Sequence, residues 1–313
     1  MRITITIPTC IYPRGCKAGV ESALAEVEHA KQYGHEVQVV VVMDGNQGYQ
    51  RLDLVDPGRF AGIDKCAAGN PTDTVRIERD NGDVQDYEWL RPHEESGAVK
   101  VIRNATNLGG CPTFNICVKA GFGTDLVATL MDDTWLLPGA VSWMAALFTA
   151  HLSVAFAGYS NTRQFPEPCF EDVPIYDDLM NCGFYRGSWV REMFLGRDWL
   201  FNEQFHIVNG DGYLLKEVRY RGHDIGYLCH PRLVTDKGQH RSLGKWQFDN
   251  IMADRETAQR IGDPVPRVNE RLEGGHVLVN MDADEPRILE VRHDPHPELT
   301  HWDSAFNPNG KLA

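Results

Sequence analysis

Two adjacent carboxylates, Asp132 and Asp133, follow a short apolar segment and precede a Pro-Gly pair. Residues 126–131 are largely apolar, and such a run bounded by turn signals predicts a buried strand of a parallel sheet. In open α/β sheets, ligands bind just outside the carboxyl ends of the strands, so the pair could hold a divalent cation and, through it, phosphate oxygens. The other interpretation is that Asp133 or Thr134 caps the helix that Pro138 helps to begin.

Another candidate acid ends a second predicted strand. Alternating residues predict a first strand at 3–7, which ends at Pro8 and Thr9, and an apolar run predicts a second at 35–43, which ends at Asp44. A helical pattern at 20–33, between them, completes a β-α-β unit, whose right-handed crossover places the two strand ends side by side. Asp44 could bind a ribose or a base there, or it could be a turn residue that needs no ligand.

Glycine and asparagine residues follow the next predicted strand, 99–103. Asn107 and Gly109 belong to the segment Asn-Leu-Gly-Gly, and Asn115 lies early in the helix that comes after it. The glycines allow a backbone to approach a ligand closely, and Asn115 is placed to point back toward the strand ends. Ordinary turn chemistry explains the same residues without a ligand.

Asp211 stands at the start of a helix predicted at 212–221, where an acid is stabilised by the helix dipole and is commonly a cap. Further on, residues 216–245 hold seven Lys or Arg against three acids, a local reversal in a chain of net charge −13. The reversal suits an anionic ligand, although a solvated basic helix face has the same composition. His240 in this stretch could supply an imidazole to a metal or a diphosphate, or it could be a surface histidine.

Composition bounds the class of protein. With 313 residues and 42% hydrophobic content, the chain can bury a large core. The acidic balance disfavours a broad nucleic-acid or anionic-membrane surface. No apolar run approaches the ~20 residues that span a bilayer and the amino terminus lacks a signal peptide, so we expect a cytoplasmic protein. The eight cysteines form no Cys-x-x-Cys pair, which favours reduced thiols over disulfides or a structural metal.

The predicted organisation is one catalytic domain with an insertion and an appendage. Residues 1–242 carry the strand and helix patterns, and residues 47–99 within them are rich in Gly, Pro and acids. This insertion is too long for a bare loop, and we expect a lobe with a hairpin built from short strands at 75–79 and 86–90. Residues 243–313 form a C-terminal helical and extended appendage. Its last ~20 residues either wrap the domain or pair with a second subunit in a homodimer.

The order of these segments resembles that of the GT-A-fold glycosyltransferases of the family-two type. The shared features are an opening strand, an acid that ends the second strand, an Asn-x-Gly segment with a later Asn, an Asp-x-Asp region continued by Pro-Gly-Ala, a Phe-Asp-Glu-x-Phe segment, and a Glu-Asp pair with a glycine downstream. In this chain they correspond to residues 5–9, 44, 107–109 with 115, 130–140, 200–205, and 209–211 with 222. The resemblance covers residues 3–242, roughly three quarters of the chain.

The resemblance implies a fold and a set of roles. The fold would be α/β, a GT-A (Rossmann-like) mixed and mainly parallel sheet flanked by helices, with the inserted lobe and the C-terminal extension. The implied general base is Asp211. The implied metal ligands are Asp133 with His240 or Asp236, and the implied donor-binding residues are Pro8, Thr9, Asp44, Asn107, Gly109, Asn115, Asp132 and Arg241.

The reaction implied by the resemblance is inverting transfer of a sugar from a nucleotide-diphosphate sugar, with UDP as the expected nucleotide, to a hydroxyl acceptor. Mn²⁺ or Mg²⁺ suits oxygen ligands and would stabilise the diphosphate as the glycosidic bond breaks. Asp211 would take the proton of the attacking hydroxyl, and attack opposite the leaving group needs no covalent nucleophile. The acceptor is open among glycans, lipid-linked sugars, proteins and modified nucleic acids.

Several positions depart from the family pattern. The first acid of Asp-x-Asp falls on Met131, the glutamate before the base falls on Gly210, and a second downstream acid falls on Tyr213. The late His-x-x-Gly-x-Ser pattern is altered, so that either Asp236 or His240 could take the role of its histidine.

Two other classes of function remain open. A nucleotidyltransferase would use a similar sheet and acids to make a nucleotide-sugar, although the chain lacks a glycine loop rich in Lys and Arg after its first strand. A non-catalytic binder of nucleotide-sugars or glycans would explain Met131 and Gly210.

Overall fold

The computed structural model describes most of the first 261 residues and two short segments after them. The described residues are 1–51, 84, 86–132, 134–161, 182–206, 210–220, 224–235, 245–261, 275–280 and 287–293. None of the helices among these residues is long and apolar enough to cross a membrane.

Strands and helices alternate along the first half of the chain. The strands are β1 (Arg2–Thr9), β2 (Glu36–Met43), β3 (Val99–Arg103), β4 (Leu126–Thr129), β5 (Thr134–Leu136), β6 (Val154–Asn161), β7 (Gly183–Arg186), β8 (Asp224–Thr235), β9 (Gly275–Asn280) and β10 (Arg287–His293). The helices are α1 (Pro13–Lys31), α2 (Arg91–Glu95), α3 (Gly110–Ala120), α4 (Ala140–Ala150), α5 (Gly187–Met193), α6 (Gly210–Tyr220) and α7 (Lys245–Ile261).

The described strands form one mixed sheet in the order β10-β9-β8-β6-β7-β4-β1-β2-β3, and β5 pairs with β8. The strands β1 to β4 run parallel to one another, whereas β7 is antiparallel to β4 and β6. Their parallel direction places the carboxyl ends of β1 to β4 at one edge of the sheet. The predicted α/β architecture, with a mixed and mainly parallel sheet flanked by helices, is confirmed.

Helices cover both faces of the sheet. Ile3, Ile5 and Ile7 of β1 are buried in a core shared with α1 and α4, as the alternation along β1 predicts. A second core, on α3, α5 and α6, contains Phe156 and Tyr185 from the neighbouring strands. Since both faces are covered, the ligand-accessible part of this sheet is its edge rather than its face.

Two glycines bring α1 against the backbone that follows β4. A Cβ atom on Gly15 would lie 2.2 Å from the carbonyl oxygen of Asp132, and one on Gly19 would lie 2.9 Å from that of Thr134. The sequence pattern predicts this helix from residue 20 only, whereas it begins at Pro13. The first turns of α1, which contain these glycines, therefore pack against the backbone of residues 132–134.

The start of α4 is capped by a distant side chain. Glu26 on α1 is buried, and its Oε1 and Oε2 accept hydrogen bonds from the backbone N–H groups of Gly139 (2.7 Å) and Val141 (2.8 Å). The carboxylate satisfies two of the donors that a helix N-terminus leaves unpaired, and its charge suits the helix dipole. The alternative that Thr134 caps this helix is wrong, because Thr134 belongs to β5.

Glu26→Gln is expected to lower the free energy of unfolding by about 2 kcal/mol, since one oxygen is replaced by an amide that faces an N–H donor. Urea unfolding followed by circular dichroism measures the loss. Glu28→Gln, on the exposed side of the same helix, is the matched control and should change stability little. Equal losses in the two variants would show that the cap contributes nothing.

Polar contacts join the two ends of the insertion. Tyr87 N–H donates to the carbonyl oxygen of Tyr49 at 2.6 Å, and the Tyr49 hydroxyl donates to Glu94 Oε2 at 2.6 Å. Arg103 forms a bidentate pair with Glu94, and this hydrogen-bonded guanidinium lowers the pKa of Glu94 to about 2. Through Glu94, these hydrogen bonds connect both ends of the insertion to Arg103 at the end of β3.

One of the strands predicted in the insertion is wrong and the other is untested. Residues 86–90 form a bend and a 3₁₀ helix, Glu88–Leu90, that leads into α2. Asp86 Oδ1 accepts a hydrogen bond from Glu88 N–H at 3.0 Å, and Pro92 lies in the first turn of α2, so local side chains favour a helical turn. The strand predicted at 75–79 lies outside the described residues.

The C-terminal region contributes to the main sheet. β9 pairs in parallel with β8, and β10 pairs with β9 in antiparallel. Ala258 and Ile261 of α7 pack against the second core. Residues after 242 therefore share the sheet and core of the preceding region, and the domain boundary at that point stays a prediction.

Candidate functional site

The candidate site lies at the edge of the sheet where β1 to β4 end. Thr9, Asp44, Asn104 and Asp132 follow or end these four strands. The segment 200–206 and the first turn of α6 lie against the same edge through their contacts with the start of α3, described below. The predicted convergence of strand ends is therefore found in the described part of the chain.

Asp132 is held by the end of β1. Thr9 Oγ1 donates to Asp132 Oδ2 at 2.8 Å, and the Tyr87 hydroxyl lies 2.7 Å from Thr9 Oγ1. Burial raises the pKa of Tyr87 well above its ordinary value, and the nearby negative charge of Asp132 raises it further. Tyr87 is therefore a protonated phenol at neutral pH and available as a hydrogen-bond donor.

Asp44 connects β2 to the loop after β3. Its Oδ1 accepts hydrogen bonds from Asn104 Nδ2 and Leu108 N–H, both at 2.9 Å, and its Oδ2 accepts one from Gly109 N–H at 3.2 Å. Asn107 Oδ1 also accepts from Gly109 N–H at 3.2 Å. The carboxylate thus fixes the shape of the Asn-Leu-Gly-Gly loop, and contact of Asp44, Asn107 or Gly109 with a nucleotide stays a prediction.

Gly109 has a positive φ of 90°, and its backbone lies close to another segment of the protein. A Cβ atom at this position would lie 3.0 Å from the carbonyl oxygen of His206, and that oxygen accepts a hydrogen bond from Gly110 N–H at 2.5 Å. The glycine pair therefore lets the loop after β3 pack against the segment 200–206.

Asn115 organises that segment. Its Oδ1 accepts hydrogen bonds from the N–H groups of Leu200 and Phe201, both at 2.8 Å. Its Nδ2 donates to Phe201 O at 2.8 Å and to Glu203 Oε1 at 3.0 Å. These four bonds use the full capacity of a carboxamide, so the hydrogen bonds give Asn115 a positioning role. The predicted contact of Asn115 with the donor stays a prediction.

Asp211 lies in the first turn of α6, half-buried. The helix begins at Gly210 rather than at the predicted residue 212, so Asp211 is inside the first turn and not at the cap. Its Oδ1 accepts a hydrogen bond from Gly212 N–H at 2.9 Å. A Cβ atom on Gly210 would lie 2.2 Å from Cys111 Sγ, so the thiol of α3 occupies the space that a side chain at 210 would need.

Three carboxylates surround the junction of α3 and α6. Burial raises the pKa of the Cys111 thiol well above its ordinary value, and the negative charges of Asp211, Asp254 and Glu203 raise it further. The N-termini of the two helices meet at Cys111 and Gly210, and their dipoles favour negative charge there. The carboxylate of Asp211 thus stands where helix dipoles favour negative charge, which suits the role of a general base.

Asp254 brings α7 to the same region. It is fully buried, and its Oδ1 accepts a hydrogen bond from His206 N–H at 2.7 Å and lies 3.3 Å from His206 Nδ1. Asp254 was not predicted as a site residue. A signal was present, because Asp254, Ala258 and Ile261 are spaced four and three residues apart and so share one helix face.

Tyr87 and Glu203 were also missed. Tyr87 stands in the segment whose short strand prediction was wrong, and Glu203 belongs to the Phe-Asn-Glu-Gln-Phe sequence without a role of its own. Met131, at the place of the first family acid, packs against the second core. Its side chain is therefore structural.

Four predicted site residues lie outside the described residues. They are the metal ligands Asp133, Asp236 and His240 and the phosphate partner Arg241. Within the described ranges, no group of three His, Cys, Asp or Glu side chains could hold a metal ion. Asp132 supplies one carboxylate of the kind that Mg²⁺ and Mn²⁺ bind. A complete metal site would need residues from the other ranges, and the metal stays a prediction.

Comparison with solved structures gives matches to glycosyltransferases. S. aureus TarS 1-349 matches with a TM-score of 0.50 and 14% identity over 75% of this chain and 60% of that chain. The same TarS fragment solved with UDP gives 0.49 and 13% identity over 75% and 60%. The mannosyltransferase PcManGT from Pyrobaculum calidifontis, solved with GDP-Man and Mn²⁺, gives 0.47 and 14% over 84% and 66%.

The chain therefore spans less than two thirds of the TarS fragment that it matches. Neither protein-family models nor curated protein sequences match it. The match to TarS establishes the fold, which is the GT-A type predicted from the order of the sequence segments.

Proposed function

We propose that this chain is an inverting glycosyltransferase, which moves a sugar from a nucleotide-diphosphate sugar to a hydroxyl acceptor. The observation that carries the proposal is the pair of carboxylates along one edge of a GT-A sheet: Asp132 after β4 and Asp211 beside the start of α3. An edge of parallel strand ends is where ligands bind in such sheets. In this proposal Asp132 serves the donor and Asp211 serves the acceptor.

Asp211 has the chemistry of the base. A carboxylate in the first turn of a helix stays ionised and can accept the proton of an acceptor hydroxyl as its oxygen attacks the anomeric carbon. The bond between that carbon and the diphosphate oxygen breaks in the same step, and the nucleoside diphosphate leaves with the bonding electrons. The configuration at the anomeric carbon is inverted, so no covalent intermediate is needed.

The donor side would be completed by residues beyond the described ranges. Asp133 and either Asp236 or His240 would hold Mn²⁺ or Mg²⁺, Asp132 would contribute to donor binding beside them, and Arg241 would pair with a phosphate. When bound, the cation supplies positive charge to the departing diphosphate. UDP is the first nucleotide to test, with GDP as the comparison.

Thermal unfolding with UDP, GDP and their sugar conjugates, each with and without Mn²⁺, tests the proposal. Wild-type protein should be stabilised by one nucleotide class, and more with Mn²⁺; at a ligand concentration of 100 Kd the gain is about 2.7 kcal/mol. Asp133→Ala should abolish the Mn²⁺-dependent part, and Asp132→Ala should reduce it less.

Three outcomes would contradict parts of the proposal. No stabilisation by any nucleotide would remove a nucleotide-sugar donor. Equal Mn²⁺-dependent stabilisation of wild type and Asp133→Ala would remove Asp133 as the metal ligand. Release of inorganic pyrophosphate from a nucleoside triphosphate and a sugar phosphate would indicate a nucleotidyltransferase instead.

A further inference from the structure

Tyr87 is the buried end of a short chain of hydrogen bonds that leads to Asp132. Its side chain is fully buried, its hydroxyl lies 2.7 Å from Thr9 Oγ1, and Thr9 Oγ1 lies 2.8 Å from Asp132 Oδ2. Tyr87 belongs to the downstream end of the insertion, whereas Thr9 and Asp132 follow or end strands of the sheet. The chain of bonds thus joins the insertion to the candidate donor site.

The direction of the protons follows from the groups present. An ionised carboxylate only accepts hydrogen bonds, so the single proton of the Thr9 hydroxyl is directed to Asp132. Thr9 Oγ1 must then accept from Tyr87, whose phenol is protonated because burial raises its pKa. Two hydroxyl dipoles therefore point in series toward the carboxylate.

We propose that Tyr87 is a positioning residue of the donor site, which acts through Thr9 to fix the carboxylate of Asp132. The inference rests on the proposed function, because that function assigns Asp132 to donor binding. Tyr87 is fully buried, so its effect on the donor site passes through Thr9 and Asp132. The effect is to select one orientation of Asp132. In metal sites, hydrogen bonds that orient the groups around the ion change metal affinity or activity by about 10-fold to 100-fold, and we expect an effect at the lower end of this range here.

The backbone of Asp132 is held from the other side. The first turn of α1 lies against its carbonyl oxygen, at a distance that excludes a side chain at Gly15. With the backbone fixed by α1 and Oδ2 fixed by Thr9, the remaining freedom of the side chain is small. Loss of the Tyr87 hydroxyl would weaken the second of these constraints and leave the first intact.

Tyr49 provides a matched control at the same end of the insertion. Its carbonyl oxygen accepts from Tyr87 N–H, and its hydroxyl donates to the Glu94 carboxylate at 2.6 Å. Tyr49→Phe therefore removes a tyrosine hydroxyl that is bound to a carboxylate, as Tyr87→Phe does through Thr9. The two variants differ in which carboxylate loses support.

The test measures binding of UDP with Mn²⁺ by titration calorimetry. Tyr87→Phe, which keeps the buried ring, should bind ~10-fold more weakly than wild type, whereas Tyr49→Phe should bind as wild type does. Thr9→Val should match Tyr87→Phe or exceed it, and Thr9→Ser, which keeps a hydroxyl, should lose less than Thr9→Val. If GDP is the nucleotide that stabilises the wild type, it replaces UDP.

A double-mutant cycle separates positioning from general damage. In the background of Asp132→Asn, Tyr87→Phe should cause little further loss of affinity, because the residue through which it acts is already altered. Wild-type affinity in Tyr87→Phe, or an equal loss in both backgrounds, would overturn the inference. A similar loss in Tyr49→Phe would also overturn it, since the effect would then belong to the insertion as a whole.

Urea unfolding without nucleotide tests the coupling between Tyr87 and Asp132 independently of the proposed function. Tyr87→Phe and Asp132→Asn should shift the unfolding midpoint in a non-additive way, because they disrupt one chain of bonds. Additive shifts would show that the chain does not couple the residues. If the wild type binds no nucleotide, the proposed function fails and the assignment to a donor site fails with it, while the cycle in urea still decides the coupling.

Discussion

Asp211→Asn is expected to lower glycosyl transfer by ~10²-fold or more and to leave affinity for the nucleotide-sugar close to that of wild type. The amide keeps the shape and polarity of the side chain but cannot take a proton from the acceptor. Asp211 lies on the acceptor side of the proposed site, in the first turn of α6, whereas the donor residues follow β1 to β4. Binding and turnover should therefore separate.

A purely structural role makes a different prediction. An acid in the first turn of a helix contributes about 0.3–1 kcal/mol through the helix dipole, and Asn also hydrogen-bonds at this position. Under that role, Asp211→Asn would reduce stability slightly and change turnover little. Asp198→Asn, an exposed acid just before the segment 200–206, is the control for loss of one negative charge nearby.

The first measurement is slow hydrolysis of the donor by water, since it needs no knowledge of the acceptor. Transfer to candidate sugars, lipids, proteins and modified nucleic acids follows. Wild-type rates for donor hydrolysis and transfer in Asp211→Asn would show that Asp211 is only a helix residue and that the base lies elsewhere. A loss of nucleotide-sugar affinity as large as the loss of rate would also contradict the assignment.

The first four strands, β1 to β4, were the part of the molecule that sequence patterns predict well. The apolar run at 37–43 became most of β2, and its residues 39–43 are buried on both faces of the sheet. The alternation of Ile and Thr in β1 follows the pleat, with Ile5 in one core and Thr6 donating to the carbonyl of Ala128. Such periodicity lies within a short stretch of sequence, so a strand can be predicted from it without knowing which segments pack against that strand.

Helix starts were predicted less well, because contacts far along the chain decide them. The first turns of α1 carry glycines rather than apolar residues, and only their approach to the carbonyls of Asp132 and Thr134 explains them. The start of α4 depends on Glu26, which is more than a hundred residues earlier in the chain. A pattern within one helix cannot reveal a partner at that separation.

The candidate site shows the same division. The residue types at strand ends indicated where a site lies. They did not show which of these side chains already hydrogen-bond to other protein groups. Asp44 was open to a turn or a ligand role, and the structure gives it three donors from the loop after β3. The spacing of Asp254 on its helix could indicate burial but not its hydrogen bond to His206, and no pattern indicated the bond between Tyr87 and Thr9.

Asn115→Asp is expected to lower the free energy of unfolding by about 3 kcal/mol or more, although the two side chains have nearly the same shape. Asn115 is fully buried, and its Nδ2 donates to Phe201 O and to Glu203 Oε1. A carboxylate oxygen at that place would face two acceptors, one of them charged. The two hydrogen bonds from Leu200 and Phe201 to Oδ1 would remain.

The segment that Asn115 holds leads to His206, which contacts Gly110 and Asp254. If Asn115→Asp disorders the segment 200–206, the residues around Asp211 should lose their positions as well. We therefore expect transfer activity to fall together with stability. A direct contact with the donor predicts another result: Asn115→Asp would weaken nucleotide binding and leave unfolding nearly unchanged. Urea unfolding and nucleotide titration on the same variant distinguish the two roles.

A second substitution tests the cause of the loss. Glu203→Gln alone should change stability little, because Glu203 is exposed and the amide oxygen can still accept from Asn115. Combined with Asn115→Asp, it should recover part of the lost stability, since a glutamine amide can donate to the new carboxylate and the repulsion of two charges is removed. Additive effects of the two substitutions would show that repulsion from Glu203 is not the source of the loss, and the desolvation of a buried charge would then account for it.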